Sequence, residues 1–280
     1  MKRVLLVKGD LLLRVIVEKS AELAELRAAS IVADLVRRNP QATLGLATGR
    51  TPTNVYRELV RMHCDSDLDF SQITTFNLDE YVGLGPKHPQ SFRYFMQEHL
   101  FDHINIDAAK TFVPDGRALD FESHCRQYEQ RIVDAGGIDL QFLGIGVDGH
   151  IAFNEPGSSL GSRTRLKTLS SETIRQNAKF FDGDPMPRLA LTMGVGTILE
   201  SKRCLLLATG SHKASPIRSM IEGPVTAQIT ASALQLHREV IVIVDEKAGG
   251  WLERRDYYSE VEECNQLLES GQLRALGIGN

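Results

Sequence analysis

The chain has 280 residues, 42% hydrophobic and 24% charged, ordinary values for a globular protein and outside the disordered, fibrous and membrane regimes. Its 36 acidic and 32 basic residues leave a formal charge of −4, which offers no general grip on nucleic acid, so any anion site must be local. Cys64, Cys125, Cys204 and Cys264 are scattered without C-x-x-C spacing, which points to a reducing, cytoplasmic compartment rather than a disulfide framework.

The opening MKRVLLVKGDLLLRVIV places basic residues before apolar ones, but Lys8, Asp10 and Arg14 interrupt a signal-peptide core, so the segment reads as structural. No 18 consecutive apolar residues occur, and no membrane partner is expected. Five aliphatic or β-branched runs, 43–47, 73–78, 140–145, 204–208 and 240–244, read as strands. They lack polar alternation, as strands buried on both faces of a parallel sheet do. Segments 18–37, 52–62, 91–100 and 123–133 carry apolar residues at three- and four-residue intervals and read as helices.

This alternation predicts one α/β domain over 1–280: a doubly wound, Rossmann-like, mainly parallel sheet with helices on both faces. Ligands in such a sheet bind beyond the carboxyl ends of the strands, near the point where strand order reverses. Segment 156–187, polar and broken by Gly157, Gly161, Gly183 and Pro185, is a candidate lid.

The strand exits carry the ionisable groups. After the first run comes Thr48-Gly49-Arg50-Thr51-Pro52, with Thr51 as a candidate N-cap and Pro52 as first helical residue. Free N–H groups at such a helix start form a phosphate cradle, although an ordinary glycine turn has the same sequence. The second run ends in Asp79-Glu80: one acid faces the cleft, or Asp79 caps a turn and Glu80 is solvated.

The third exit places Asp148, His150 and Glu155 within one eight-residue span after Gly144-x-Gly146. Carboxylates beside a histidine set its charge and tautomer for proton transfer, the alternative being a core histidine. Asp-x-His with a distant Glu has no structural zinc spacing, so no metal is expected. The fourth exit, Gly210-Ser211-His212-Lys213, offers a second glycine turn with a cation for a phosphate, or a surface lysine. The fifth, Asp245-Glu246-Lys247, reads as solvated. No complete G-x-G-x-x-G, P-loop or G-x-S-x-G pattern occurs.

Together LGLATGRTP, TTFNLDEYVGL, GVDGHIAFNEPGSSLGSRTRLKTL, ALTMGVGTIL and GSHKA, in order from residue 44 to residue 214, resemble the glucosamine-6-phosphate deaminase family. The resemblance implies an enzyme of amino-sugar catabolism that isomerises and deaminates glucosamine 6-phosphate to fructose 6-phosphate and ammonia, without an organic cofactor. It implies a homo-oligomer, hexamers included. By the same likeness Asp79 is the base at C2, His150 the ring-opening acid/base, and Asp148 and Glu155 its flanking carboxylates. The phosphate is matched by Thr48, Gly49, Arg50, Thr51, Lys179 and Lys213.

Two departures from the family pattern concern that phosphate: Arg50 stands where a small residue is usual, and Lys179 where the lid cation is often arginine. A guanidinium matches phosphate geometry bidentately, so Arg50 is expected to supply the grip that Lys179 lacks. Pro216 is a third departure, tolerated if the helix after Lys213 starts late. Ser158, Ser159, Arg165, Lys167 and Tyr257 match a site for an N-acetylglucosamine 6-phosphate activator between subunits, although the amino-terminal segment here is longer than in the family. Two rival readings are a sugar-phosphate lactonase of similar fold and a sensor that binds without turnover. Asp79 discriminates against both, because only C–H abstraction needs a carboxylate aimed at C2.

Overall fold

The computed structural model describes residues 12–181 and 185–272, so the first eleven residues and the 182–184 portion of the candidate lid lie outside the described residues. In chain order the elements are β1 (Leu12–Glu18), α1 (Ala21–Arg38), β2 (Thr43–Leu46), α2 (Arg50–Ser66), β3 (Thr74–Asn77), β4 (Asp79–Tyr81), α3 (Phe92–His99), β5 (Thr111–Phe112) and α4 (Phe121–Asp134). There follow β6 (Leu140–Leu143), β7 (Arg165–Thr168), α5 (Ser171–Ala178), β8 (Leu189–Thr192), α6 (Val195–Leu199), β9 (Cys204–Ala208), α7 (Ala214–Ile221), β10 (Glu239–Asp245) and α8 (Arg255–Glu269).

Seven strands form a parallel sheet in the order β1-β10-β9-β6-β2-β3-β5. Every residue of β2, β6 and β9 is buried, which is why these strands lack polar alternation in the sequence. Between β2 and β6 the register sets Gly45 opposite Gln141, and a Cβ at Gly45 would lie 2.1 Å from the Gln141 side-chain oxygen. From β2 the chain moves outward through β3 to β5, then returns to the other side of β2 and builds β6, β9 and β10. The reversal therefore falls between β2 and β6, where a ligand crevice opens in a doubly wound sheet.

Local chemistry moves two predicted helix starts. Glu18 ends β1, and α1 begins only at Ala21, because the Ser20 side chain accepts the Leu23 N–H. α2 begins at Arg50 rather than Pro52, with Gly49 as N-cap instead of Thr51. Gly49 has φ 107, a left-handed conformation open to glycine, and Pro52 still falls in the first turn, where no intrahelical N–H is missed. Pro216 likewise sits in the first turn of α7, after a 3-10 turn over Ser211–Lys213.

A second sheet, absent from the sequence reading, is antiparallel in the order β4-β8-β7. The described part of the candidate lid thus contains regular structure, β7 and α5. It docks through a small aromatic cluster in which Tyr81 lies 5.4 Å from Phe153 and 5.6 Å from Phe181, ring centre to ring centre. At the opposite edge α8 packs on β1. There Arg14 donates to both oxygens of Glu262 at 2.6 and 2.9 Å.

Candidate active site

A cleft of about 590 Å³ opens at the carboxyl ends of β2 and β6 and is lined at its far wall by the end of α5. Thr48, Gly49, Arg50, Thr51, Asp79, His150, Lys179 and Lys213 all line it, so residues 165 positions apart in sequence meet in one space. Asp148 and Glu155 stand behind the imidazole.

One end is cationic. The N–H groups of the first turn of α2 have no side-chain cap, which leaves them available to an anion. The Arg50 guanidinium lies 5.9 Å from the centre of the Phe180 ring and Lys179 Nζ 5.2 Å from the same ring, so one aromatic residue gathers both cations. Lys213 Nζ donates to the Ile145 carbonyl at 2.6 Å. Burial lowers the Lys213 pKa, against the opposing pull of Asp148.

Asp245 corrects the expectation of a solvated strand exit. It is buried, and its carboxylate accepts the N–H groups of Gly210, at 2.9 and 3.1 Å, and Ala248, at 2.8 Å. A strand-end acid thereby fixes the neighbouring glycine turn, whose Gly210 adopts φ 89.

The other end is acidic and closed. Asp79 is 6% exposed, and among the described residues nothing donates a hydrogen bond to its carboxylate. Burial first, and the neighbouring Glu80 second, push its pKa up to about 8. Glu80, 2% exposed, is not solvated either. It accepts from the N–H groups of Tyr81 (2.8 Å), Phe92 (3.0 Å) and Arg93 (3.1 Å) and from Ser91 Oγ (2.7 Å). Its role is to cap α3, whose first residues line the cleft, and to tie that helix to the strand carrying Asp79.

The third group is the oriented imidazole. His150 Nδ1 lies 2.7 Å from Asp148 Oδ1 and 3.8 Å from Glu155 Oε2, which directs both carboxylates to one ring nitrogen and leaves Nε2 for the cleft. Desolvation works against the Asp148 charge, but the adjacent His150 imidazole and the His150 N–H, which donates to Asp148 Oδ1 at 3.2 Å, hold its pKa below the usual range. Glu155 Oε1 accepts the N–H of Ser170, the cap of α5, at 3.0 Å. A Cβ at Gly146 would lie 2.6 Å from the imidazole Cε1, so the ring needs a glycine there.

The loop is held from far away: Thr230 Oγ1 donates to the Asn154 carbonyl at 2.8 Å and accepts the Ile151 N–H at 3.3 Å, while Asn154 Nδ2 donates to the Met193 carbonyl at 2.9 Å. Ala152, at φ 50, is a strained non-glycine residue in the cleft wall. Among the described residues Asp148, His150 and Glu155 form one group with ligand atoms within 4.8 Å of one another, close enough to hold a cation. Their convergence on a single imidazole nitrogen equally suits proton transfer.

Sequence reasoning missed Glu80 as a cap, Asp245, Thr230, Asn154, Phe180 and the cleft-lining His212. Only Ser91, three residues before Tyr94, carried a local capping signal that could have led to Glu80. The candidate activator residues separate into two places. Ser158, Ser159, Arg165 and Lys167 lie along one segment, where the buried Ser158 Oγ has no hydrogen-bond partner among the described residues and Arg165 donates to Asn154 Oδ1 at 2.9 Å. Tyr257 stands exposed on α8, which packs on β1, whereas β7 packs on α4.

The family described as glucosamine-6-phosphate isomerases/6-phosphogluconolactonase matches residues 17–243. The chain is 51% identical over 255 residues to a glucosamine-6-phosphate deaminase of Shewanella halifaxensis (strain HAW-EB4), an alignment covering 91% of this chain and 97% of that one. It is 52% identical over 237 residues to that of Clostridium perfringens (strain SM101 / Type A), covering 84% and 98%. A solved monomeric glucosamine-6-phosphate deaminase superposes with TM-score 0.83 at 45% identity, covering 85% of this chain and 100% of that one. A 6-phosphogluconolactonase from Trypanosoma brucei shares the fold, with TM-score 0.68 over 85% of this chain and 97% of that one, at 17% identity. The high identity over nearly the whole of the deaminases, with likeness to the lactonase at the level of fold alone, shows that this chain belongs to the glucosamine-6-phosphate deaminase family.

Proposed function

We propose that the chain converts glucosamine 6-phosphate and water to fructose 6-phosphate and ammonia, with Asp79 as the base at C2 and His150 as the ring-opening acid/base. The observation that carries these roles is the buried Asp79 carboxylate, unpaired among the described residues, in one cleft with an oriented imidazole. His150 moves a proton between the anomeric hydroxyl and the ring oxygen, opening the pyranose and exposing a C1 carbonyl. The carbonyl acidifies the C2 hydrogen, which Asp79 takes to leave an enolamine. Reprotonation at C1 gives a C2 imine, and water displaces ammonia to leave the ketose. A carboxylate with a pKa near 8 is a better proton acceptor than an ordinary one, which suits a carbon acid.

The phosphate sits at the start of α2, against Thr48, Gly49, Arg50 and Thr51, with Lys179 and Lys213 beside it. This placement has its support in the uncapped first turn and in the three cations along the cleft. Segment 156–187 acts as a lid that carries Lys179 and Phe180 over the substrate. No organic cofactor is required, because the C1 carbonyl itself stabilises the developing charge. The chain acts as a single cytoplasmic domain.

A homo-oligomer with an N-acetylglucosamine 6-phosphate site at Ser158, Ser159, Arg165, Lys167 and Tyr257 is the companion proposal. Because Tyr257 lies on a different element edge from the other four, such a site draws it from a second copy. The relative described as a monomeric deaminase makes the oligomer dispensable for the chemistry itself.

The test is release of ammonia and ketose phosphate from glucosamine 6-phosphate with a metal chelator present, for wild type and Asp79→Asn. Release by wild type and its loss in the variant support the reading. No release from this substrate or its galacto epimer would turn the assignment toward the lactonase or the sensor.

A further inference from the structure

The cationic end of the cleft holds one titratable side chain that the proposed reaction leaves unused. His212 lines the cleft from the 3-10 turn Ser211–Lys213. Its ring folds back over Gly210, where a Cβ would lie 3.0 Å from both Cε1 and Nδ1, so only glycine admits this pose. Asp245 in turn holds Gly210 through its N–H, and the imidazole is thereby mounted on a braced turn rather than a free loop.

Three charged groups face it: Lys213 on its own turn, Arg50 at the start of α2 and Asp245 at the end of β10. The Asp245 oxygens are already engaged by the N–H groups of Gly210 and Ala248, so the anion that favours a charged ring is committed to the backbone. The cleft that the ring lines is also lined by Arg50 and the first turn of α2.

We propose that His212 is a binding residue for the substrate phosphate, taking up a proton as the dianion arrives and serving as a cationic partner beside Arg50 and Lys213. The inference rests on the phosphate placement given above. Partial burial, then Lys213 and Arg50, hold the imidazole pKa below its ordinary value while Asp245 opposes them, so the ring enters the encounter mostly neutral at neutral pH. A phosphate dianion reverses the local field and favours the imidazolium, which then donates a charge-assisted hydrogen bond. Binding that favours the protonated ring must weaken as pH rises.

The experiment measures KM for glucosamine 6-phosphate from pH 6 to pH 8.5 in wild type and His212→Gln, whose amide keeps a polar side chain without the titration. Phosphate has its own ionisation near pH 6, but both proteins meet the same substrate, so the ratio of their KM values isolates the ring. The expected ratio is about fivefold at pH 6 and falls to within about twofold at pH 8.5, the size of one charge-assisted hydrogen bond lost. Calorimetry with inorganic phosphate in two buffers of different ionisation enthalpy should show proton uptake by wild type beyond that of the variant.

A KM ratio that does not change with pH, with equal proton uptake, overturns the inference. Arg50→Ala separates the two layers of the argument. If it raises KM while the His212 ratio stays flat, only the histidine assignment falls. If neither variant changes KM, the phosphate placement falls with it.

Discussion

At one end of the cleft Asp79 and Glu80 sit side by side in β4, almost wholly buried, one carboxylate without a hydrogen bond among the described residues and the other with four. At the other end Arg50, Lys179 and His212 are exposed side chains on helix ends and a turn, two of them leaning on the same phenylalanine. Both ends hold charged groups, but the roles proposed for them above make different demands. Removing a proton from carbon requires a base fixed to within a fraction of an ångström, and a strand supplies that rigidity. Neutralising a phosphate falls off only slowly with distance, so longer, exposed cations suffice.

The most direct way to break this comparison is Asp79→Asn. If the acidic end carries the chemistry, turnover falls by roughly 10²- to 10⁴-fold, the range for loss of a well-placed general base, with little change in KM. An equal fall in the affinity end alone, with kcat preserved, would erase the distinction.

The same substitution makes a stability prediction of known sign. A carboxylate whose folded pKa is raised to about 8 binds more protons folded than unfolded between about pH 4 and pH 8, so it destabilises the fold increasingly across that window. Each pKa unit is worth about 1.4 kcal/mol. The melting temperature of Asp79→Asn should therefore gain on wild type as pH rises from 4 to 8 and level off above it. A difference independent of pH would mean that Asp79 is not held in a desolvated state.

Gly146→Ala sharpens the comparison from the imidazole side. Its new methyl would intrude on the His150 ring and not on backbone, so the ring can yield at small cost to stability while losing its aim. The expected result is a fall in kcat of about 10²-fold, as for loss of one acid/base group, with an almost unchanged melting temperature.

Arg50→Ala addresses the cationic end and should raise KM, about tenfold for loss of a bidentate charged contact, with kcat less affected. A KM within about twofold of wild type would mean that Arg50 is not the phosphate grip. The smallest expected effect is the pH-dependent shift in KM of His212→Gln. Together these two variants ask whether the cations share the load, as exposed groups can, or whether one dominates.

The five main strands were legible because strands buried on both faces show aliphatic and β-branched residues without polar alternation, and each was placed within a residue or two of its observed bounds. β4 and β5 were not, since two or three residues carry too little pattern to distinguish a strand from a loop, nor was the half-exposed β7, which forms no apolar run, and β8 was passed over with them. β1 was hidden differently: its apolar run was weighed as a possible leader and its last residue was assigned to the following helix.

By itself the sequence determined the α/β alternation, the glycine exits and the ionisable residues placed after each strand, because strand period, helix period and turn chemistry are local properties of a few neighbouring side chains. Tertiary structure alone decided what those residues became. Glu80 is a helix cap because residues 91–93 fold against it, Asp245 braces a turn because β9 lies beside β10, and Thr230 holds Asn154 across 76 positions of sequence. Asp79 is a desolvated carboxylate rather than a surface acid for the same reason: burial and partners belong to the packed chain, and no local pattern in the amino acids encodes them.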